Sequence, residues 1–340
     1  MTEGLQERIE RDLSARTGGP VAVRAIERLA GGACQELFRV DLEISCGESA
    51  GGRRMVLRSD AVRRLPGSLD RRDEFRVIEL ALAAGVPTPP VRWASSGLVR
   101  EGAWAYFMDW VDGEAIGRRV VKRPELAAAR ERLPLQLASA LARVHSLSPR
   151  SAPGLSLAGA EGEKAPARSA LDFLASALER LPEPRPALEL VLRWLLDEAP
   201  VREERTLVHG DFRTGNFMVG PEGLRAVLDW EFAHFGNPME DLAWMCVRDW
   251  RFGELDKPAG GLARREPFYE AYERSSGRAV RRDEVRWWEV FGNARWAAGS
   301  ILQGERYLSG EEADLELVAI ARRAVEMEFE ALRIAEGDRP

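Results

Sequence analysis

The sequence predicts an α+β protein with two lobes, a small antiparallel sheet with one helix and then a larger, mostly helical lobe. Three observations predict this fold class. Short β-rich runs separated by turn residues fill residues 20–60, helical stretches rich in Ala, Leu, Glu and Arg dominate after residue 112, and 340 residues correspond to about two domains. The lobes are expected to span 1–111 and 112–340.

The first lobe is predicted to hold its strands around one inserted helix. Apolar residues at helical spacing predict that helix over Asp70–Ala84, and it must end there because Gly85 and a proline-rich stretch follow. Leu5, Ile9 and Leu13 mark one helical face near the N-terminus. The predicted strands are Val21–Leu29, Glu36–Ile44, Met55–Arg58, Val91–Ala94 and Trp104–Val111.

The second lobe is predicted to be helical, except for a return to strands between Thr206 and Trp230. Pro149–Pro166 is rich in Gly, Ala, Pro and Ser and is therefore interpreted as a loop. The tryptophans near the C-terminus are interpreted as core residues rather than as a ligand platform. The predicted helices are Glu125–His145, Ala167–Leu181, Ala187–Ala199 and the region after Pro267.

Composition argues against several classes of protein. Forty-nine Lys+Arg against 55 Asp+Glu give a net charge of −6, which offers no field to hold a nucleic acid. The sequence has no run of about 20 apolar residues for a membrane helix, and its first residues lack an apolar signal core, so a cytoplasmic location is expected. Three scattered cysteines are too few for a disulfide framework or a zinc site, and three histidines leave little material for imidazole chemistry.

One segment carries the residues of a catalytic site. A strand-like run delivers His209-Gly210-Asp211, and Asn216 follows five residues after Asp211. A predicted hairpin then turns the chain back, so that Asp229 returns towards Asn216. Three oxygen-bearing side chains at one end of a hairpin suit phosphoryl transfer, in which one carboxylate orients the attacking hydroxyl while an amide and a second carboxylate hold Mg²⁺.

The spacing D-x-x-x-x-N, followed by an aspartate after a hairpin, is typical of kinase catalytic loops. With H-G-D-F-R-T-G-N from His209 and L-D-W-E from Leu228, the chain resembles the aminoglycoside phosphotransferase and choline kinase branch of the kinase-like superfamily. Within it, the chain is most similar to the kinase-like domains fused to acyl-CoA dehydrogenases. The resemblance implies a two-lobed protein-kinase-like fold with ATP and Mg²⁺ as cofactors.

The resemblance also implies roles for individual residues. Asp211 would be the catalytic base, and Asn216 and Asp229 would be the magnesium ligands. Arg58 stands where the family has a phosphate-binding lysine, and Glu74 is placed to pair with it. The glycine-rich turn and the hinge would supply the other nucleotide-binding residues, namely Gly31, Gly32, Gln35, Met108, Asp109 and Val111.

Three further polar residues are interpreted as structural. Asp241, in a D-x-x-W sequence, resembles the aspartate that braces the catalytic loop in this family. His209 is interpreted as an anchor of that loop rather than as a base. His145 falls at the end of a predicted helix and is interpreted in the same way.

Two other interpretations of these residues stay open. His209, Asp211 and His234 imitate the two-His-one-carboxylate iron triad of oxygenases, although that site would require a jelly roll and the flanking sequences here are helical. A pseudokinase, which binds a ligand without turnover, is favoured only by Arg58 in place of lysine.

The predicted function is ATP- and Mg²⁺-dependent transfer of the γ-phosphate to a hydroxyl of a small molecule, with no nucleic acid or membrane as a partner. Basic and acidic residues nearly balance in Arg248–Glu289, which should help to form the acceptor side, so this segment is not an acidic trap for a polycation. A hydroxyacyl thioester or a hydroxy acid is therefore the favoured acceptor. An aminoglycoside-type antibiotic is the alternative.

Overall fold

A computed structural model describes residues 2–29, 35–62, 64–152, 155, 157–160, 163–201 and 204–337. The chain divides into two compact units. Unit 1 is built mainly on Met1–Gly113 with Arg225–Ala233, and unit 2 on Glu114–Pro153, Leu157–Leu224 and His234–Pro340.

Unit 1 contains a five-stranded sheet with strand order β1-β2-β3-β5-β4, in which every neighbouring pair is antiparallel. The register of the central pair places Arg58 of β3 opposite Tyr106 of β5. All five predicted strands are present, and β3 is longer than predicted because the glycines at its start pair with β2 instead of turning. The strands are β1 (Val21–Arg28), β2 (Gln35–Ile44), β3 (Gly51–Asp60), β4 (Val91–Ser96) and β5 (Trp104–Asp109).

Two helices accompany this sheet. In α1 (Thr2–Thr17), Leu5, Ile9 and Leu13 are buried and join the apolar core of the sheet, as their spacing predicts. The inserted helix α2 (Arg71–Ala83) begins where Asp70 caps it by accepting a hydrogen bond from the amide of Asp73, 2.9 Å away. The buried face of α2 includes two charged side chains, Arg71 and Glu74, which form an ion pair with each other.

Unit 2 is mostly helical. Two small sheets, β6 with β9 and β7 with β8, interrupt the helices, and the division between the units falls within β8. The strands are β6 (Thr206–Val208), β7 (Phe217–Gly220), β8 (Gly223–Val227) and β9 (His234–Gly236). The helices are α3 (Gly117–Lys122), α4 (Ala127–Val144), α5 (Pro166–Glu179), α6 (Pro186–Asp197), α7 (Met239–Trp244), α8 (Arg265–Ser276), α9 (Arg282–Leu308), α10 (Leu315–Ala321) and α11 (Ala324–Ala335).

The long helix α9 forms the centre of the unit 2 core. Trp287, Trp288 and Phe291 on this helix are buried and make ring contacts with one another. The indole nitrogen of Trp287 donates to the carbonyl of Leu195, 2.9 Å away, so its polar group is satisfied. The interpretation as core is confirmed for these three residues, whereas Trp296 on the same helix is half-buried. None of the helices in the described ranges is long and apolar enough to cross a membrane.

Candidate active site

The loop after β6 is held by one buried aspartate. Asp241 accepts hydrogen bonds from the amides of His209 and Gly210, at 2.7 and 2.9 Å. The ring of His145 lies between Asp241 and the hydroxyl of Tyr272, at 3.1 and 2.8 Å. Burial opposes ionisation of Asp241, but the hydrogen bond and charge of His145 and the neighbouring His209 outweigh it and lower the pKa of Asp241. Asp241 is therefore a charged brace for the loop.

The carboxylate of Asp211, in the loop that Asp241 holds, accepts hydrogen bonds from three side chains. The indole nitrogen of Trp244 donates to Oδ1 at 2.7 Å, and the amide of Asn216 donates to Oδ2 at 2.7 Å. Nε of Arg213 lies 3.1 and 3.3 Å from the two oxygens. The side chain of Asp211 retains 12% of its exposure, so a fixed carboxylate faces a small opening. Such a group can orient a hydroxyl and accept its proton.

The side-chain amide of Asn216 has a fixed orientation. Its nitrogen donates both to Oδ2 and to the main-chain carbonyl of Asp211, at 2.7 and 3.0 Å. Both neighbours are acceptors, so the amide oxygen must point the other way. Within the described residues that oxygen has no hydrogen-bond partner, as a ligand for a hard cation requires.

In unit 1, Arg58 is buried among carboxylates. Its guanidinium forms ion pairs with Glu74 at 2.8 Å and with Asp229 at 2.6 Å. Tyr106, opposite Arg58 in the sheet, donates its hydroxyl to Glu74 at 2.9 Å. Burial opposes the charge on Arg58, but Glu74 and Asp229 outweigh this effect and hold the pKa of Arg58 well above its ordinary value. Arg58 is therefore a permanent cation beside Asp229.

A second buried arginine extends this network. Arg71 contacts Glu74 at 2.9 Å and Glu231 at 3.2 Å, and its side chain is 1% exposed. It also donates to the carbonyl of Leu69, whose own amide donates to the carbonyl of Glu231. Arg71 thus ties the start of α2 to the residues that follow Asp229.

The backbone at Asp229 supports the same arrangement. Asp229 has a φ of +68°, in the left-handed region, which ends the extended chain of β8 and starts a 3₁₀ turn over Trp230–Phe232. The indole of Trp230 donates to Thr88 at 3.1 Å, and Trp230 itself is buried. These contacts fix the backbone around Asp229, so that its carboxylate stays beside Arg58.

The remaining predicted nucleotide residues are distributed as follows. Met108 and Asp109 lie in β5, opposite Val56 and Met55 of β3. The strand ends at Asp109, so Val111 follows it rather than forming its last residue as predicted. Gly31, Gly32 and the side chain of Gln35 lie outside the described residues.

A comparison with known protein families shows which family the chain belongs to. The model of the phosphotransferase enzyme family, APH, matches residues 26–282. The chain belongs to this phosphotransferase family. Its fold class and the family resemblance predicted from the sequence are thereby confirmed. The iron-triad alternative required a jelly roll, whereas the strands in the described ranges form one five-stranded and two two-stranded sheets.

Relatives of this phosphotransferase chain include the acyl-CoA dehydrogenase family members 10 and 11. Mouse member 10 is 31% identical over 189 residues, which cover 54% of this chain and 17% of the mouse protein. Human member 11 is 32% identical over 193 residues, which cover 52% of this chain and 24% of the human protein. The chain therefore spans only about a sixth to a quarter of the length of these relatives.

Solved structures share the fold of this phosphotransferase. A Ralstonia eutropha JMP134 protein, provisionally assigned as an aminoglycoside phosphotransferase, has a TM-score of 0.72 and 20% identity over 98% of this chain and 99% of that one. A thermostable mutant of aminoglycoside phosphotransferase APH(4)-Ia, in a ternary complex with ADP and hygromycin B, has a TM-score of 0.59 and 18% identity, covering 97% and 99%. At these identities the similarity shows the fold alone.

Four side chains that hold the candidate site residues in place were not predicted from the sequence. Trp244 and Arg213 hold Asp211, and Arg71 and Glu231 extend the Arg58 network. Weak signals existed for each. Arg71 precedes Glu74 by three residues on a predicted helix, which places both on one face, and the other three lie within three residues of a residue that the sequence singled out.

Glu231 gives the protein a pH-dependent stability. Burial, reinforced by the charge of Asp229, raises the pKa of Glu231 to about 7. The unfolded chain releases this proton at lower pH than the folded chain, so the free energy of unfolding should fall by up to about 1.4 kcal/mol per pH unit between about pH 5 and 7. Urea unfolding across this range should show a smaller fall for Glu231→Gln. An identical pH dependence in the two proteins would refute this assignment.

Proposed function

We propose that this phosphotransferase moves the γ-phosphate of ATP to a hydroxyl group of a small molecule in an Mg²⁺-dependent reaction. In this proposal residues 1–111 bind the nucleotide, and residues 112–340 supply the catalytic loop and the acceptor site. The single observation that carries the proposal is the geometry around Asp211. A carboxylate with three donors lies next to an amide whose oxygen is turned away and has no partner in the part of the chain that the structure describes, which suits a base beside a cation ligand.

Asp211 would orient the attacking hydroxyl and take its proton as the bond to phosphorus forms. The three donors restrict the rotation of the Asp211 carboxylate, which lowers the entropy cost of alignment. Most of the rate enhancement in phosphoryl transfer comes from positioning and electrostatic stabilisation. A single well-fixed carboxylate is therefore sufficient as the reacting side chain.

Asn216 and Asp229 would hold Mg²⁺, which supplies charge neutralisation on the phosphates when it is bound. Both residues offer hard oxygen donors, the type that magnesium prefers. In unit 1, the carboxylates of Glu74, Asp229 and Glu231 lie around Arg58 and Arg71. A divalent cation at Asp229 would add positive charge beside these carboxylates. The guanidinium of Arg58, held by its ion pair with Glu74, would donate to a phosphate of the nucleotide.

The acceptor we propose is a hydroxyacyl thioester or a hydroxy acid. Two points support this class. The nearly balanced charge of Arg248–Glu289 does not suit a polycationic sugar, and the relatives at about 30% identity are acyl-CoA dehydrogenase family members. The structures with bound aminoglycoside are less than 20% identical to this chain and carry no argument for that acceptor.

A turnover panel tests the proposal. The full chain is incubated with ATP and, in turn, with hydroxyacyl-CoAs, hydroxy acids, choline and aminoglycosides, and ADP formation is measured with Mg²⁺ or with EDTA. We expect saturable, Mg²⁺-dependent ADP formation with a hydroxyacyl thioester or a hydroxy acid. Turnover only with an aminoglycoside would refute the acceptor class. Absence of acceptor-dependent turnover, with retained AMP-PNP binding, would favour a pseudokinase.

A further inference from the structure

Arg213 presents an unused cationic edge beside the proposed catalytic carboxylate. Its Nε atom is engaged by Asp211, at 3.1 and 3.3 Å from the two oxygens. Within the described residues, neither of its terminal Nη atoms has a hydrogen-bond or ion-pair partner. The side chain is 25% exposed, so this edge is accessible. A guanidinium with an open edge is a ready bidentate donor for a group with two oxygens.

The guanidinium is also fixed in place before any ligand arrives. It stacks on the ring of Trp250, with its central carbon 4.3 Å from the ring centroid. On another side, a Cβ at residue 215 would lie only 2.6 Å from Nη1, and Gly215 leaves that space free. Trp250 is itself held by ring contacts with Trp244 and Trp296. A cation held in this way loses little side-chain entropy on binding.

Among the described residues, the carboxylate paired with Arg213 is that of Asp211, and it contacts Nε of the guanidinium. Asp249, whose charge also interacts with Arg213, forms an ion pair with Arg323. The two terminal nitrogens of Arg213 are therefore left without a carboxylate partner among the described residues, two positions after Asp211 in the same loop.

We propose that the Nη edge of Arg213 is a binding site for an anionic oxygen group at the point of phosphoryl transfer. The group would be either the phosphoryl group that is transferred or a carboxylate or phosphate of the acceptor, since both present two oxygens to a planar fork. The inference rests on the proposed function for the identity of the reaction, but the binding site itself can be tested without turnover. Trp250 would be the positioning residue that keeps the fork aligned.

A binding experiment tests the site independently of catalysis. Thermal unfolding of the full chain is followed in a millimolar series of inorganic phosphate without nucleotide, for wild type, Arg213→Gln and Arg306→Gln. Arg306 serves as the control because it is partly exposed and already paired with Glu312. We expect phosphate to raise the unfolding temperature of wild type and Arg306→Gln, and to raise it less for Arg213→Gln. An equal phosphate shift in all three proteins would overturn the proposal.

A turnover experiment then distinguishes the two sources of the anion. The acceptors are a hydroxy acid and its neutral methyl ester. If Arg213 binds an acceptor carboxylate, Arg213→Gln should raise KM for the acid by about thirtyfold and leave the ester unchanged. If it binds the transferred group, kcat should fall equally with both acceptors, and Arg213→Lys should restore only part of it. A uniform loss of kcat together with an unaltered phosphate shift would mean that Arg213 only orients Asp211, and would refute the site.

If wild type turns over neither of these two acceptors nor any hydroxyacyl thioester of the panel, the proposed function fails. The phosphate comparison between wild type and Arg213→Gln is unaffected by such a failure. The two hypotheses therefore have separate tests.

Discussion

Asp211→Asn should lower kcat for phosphoryl transfer by about a thousandfold, the middle of the range for loss of a general base. The amide keeps the shape of the carboxylate and can still accept from Trp244, but it cannot take a proton from the acceptor. It also removes the negative charge that balances Arg213. Affinity for AMP-PNP should stay within about threefold of wild type, because Asp211 acts on the acceptor rather than on the nucleotide. Steady-state ADP formation and a nucleotide titration measure the two quantities.

Asp197→Asn is the matched control for this substitution. Asp197 is an exposed carboxylate at the end of α6 in the same unit, outside the catalytic loop and outside the segment assigned to the acceptor. It should therefore retain the wild-type kcat. If Asp211→Asn kept more than about a tenth of wild-type activity, the assignment of Asp211 as the base would be wrong.

Arg71→Met should lower the free energy of unfolding by about 3–5 kcal/mol, the cost of breaking a buried ion pair from one side. The substitution leaves Glu74 and Glu231 buried without their shared cation. It also removes the donor to the carbonyl of Leu69. Urea unfolding measures the loss in the free energy of unfolding. Hydrogen exchange of the amides in α2 and β3 then shows whether the loss is largest around this network.

Arg72→Met is the control for the same helix. Arg72 is exposed, and its guanidinium lies over the ring of Trp104, 5.4 Å from the centroid. Its removal should cost no more than about 1 kcal/mol. If the two variants were equally stable, the network around Arg71 would not contribute as described. A loss of nucleotide affinity in Arg71→Met beyond that in Arg72→Met would further indicate that Arg71 positions Glu74 and Arg58.

Local patterns in the sequence were sufficient for much of the fold. Short β-rich runs between turn residues predicted the strands of unit 1, and the stop at Gly85 predicted the end of α2. The spacing of Asp211 and Asn216 placed both on one loop, where the structure joins them at 2.7 Å. These features depend on residues that are close together in the chain, so local sequence patterns are sufficient to predict them.

The partners that hold the candidate site were not predictable in this way. Arg71 and Glu231 are separated by 160 positions, and no local pattern states that two such charged groups will be buried together. Trp244 was recognised only within a D-x-x-W sequence, although its indole reaches back 33 residues to Asp211. Burial of charge is decided by tertiary packing, which a periodicity of 2 or 3.6 does not record.

The most direct test of the central claim is the fate of the γ-phosphate itself. ATP labelled with ¹⁸O at the γ-phosphate is incubated with the full chain, Mg²⁺ and the acceptor that the panel identifies, and the product is analysed by mass spectrometry. The account predicts a phosphate ester whose bridging oxygen comes from the acceptor hydroxyl and whose other three oxygens carry the label, with ADP as the second product. Labelled inorganic phosphate as the only product, or an unmodified acceptor, would contradict it.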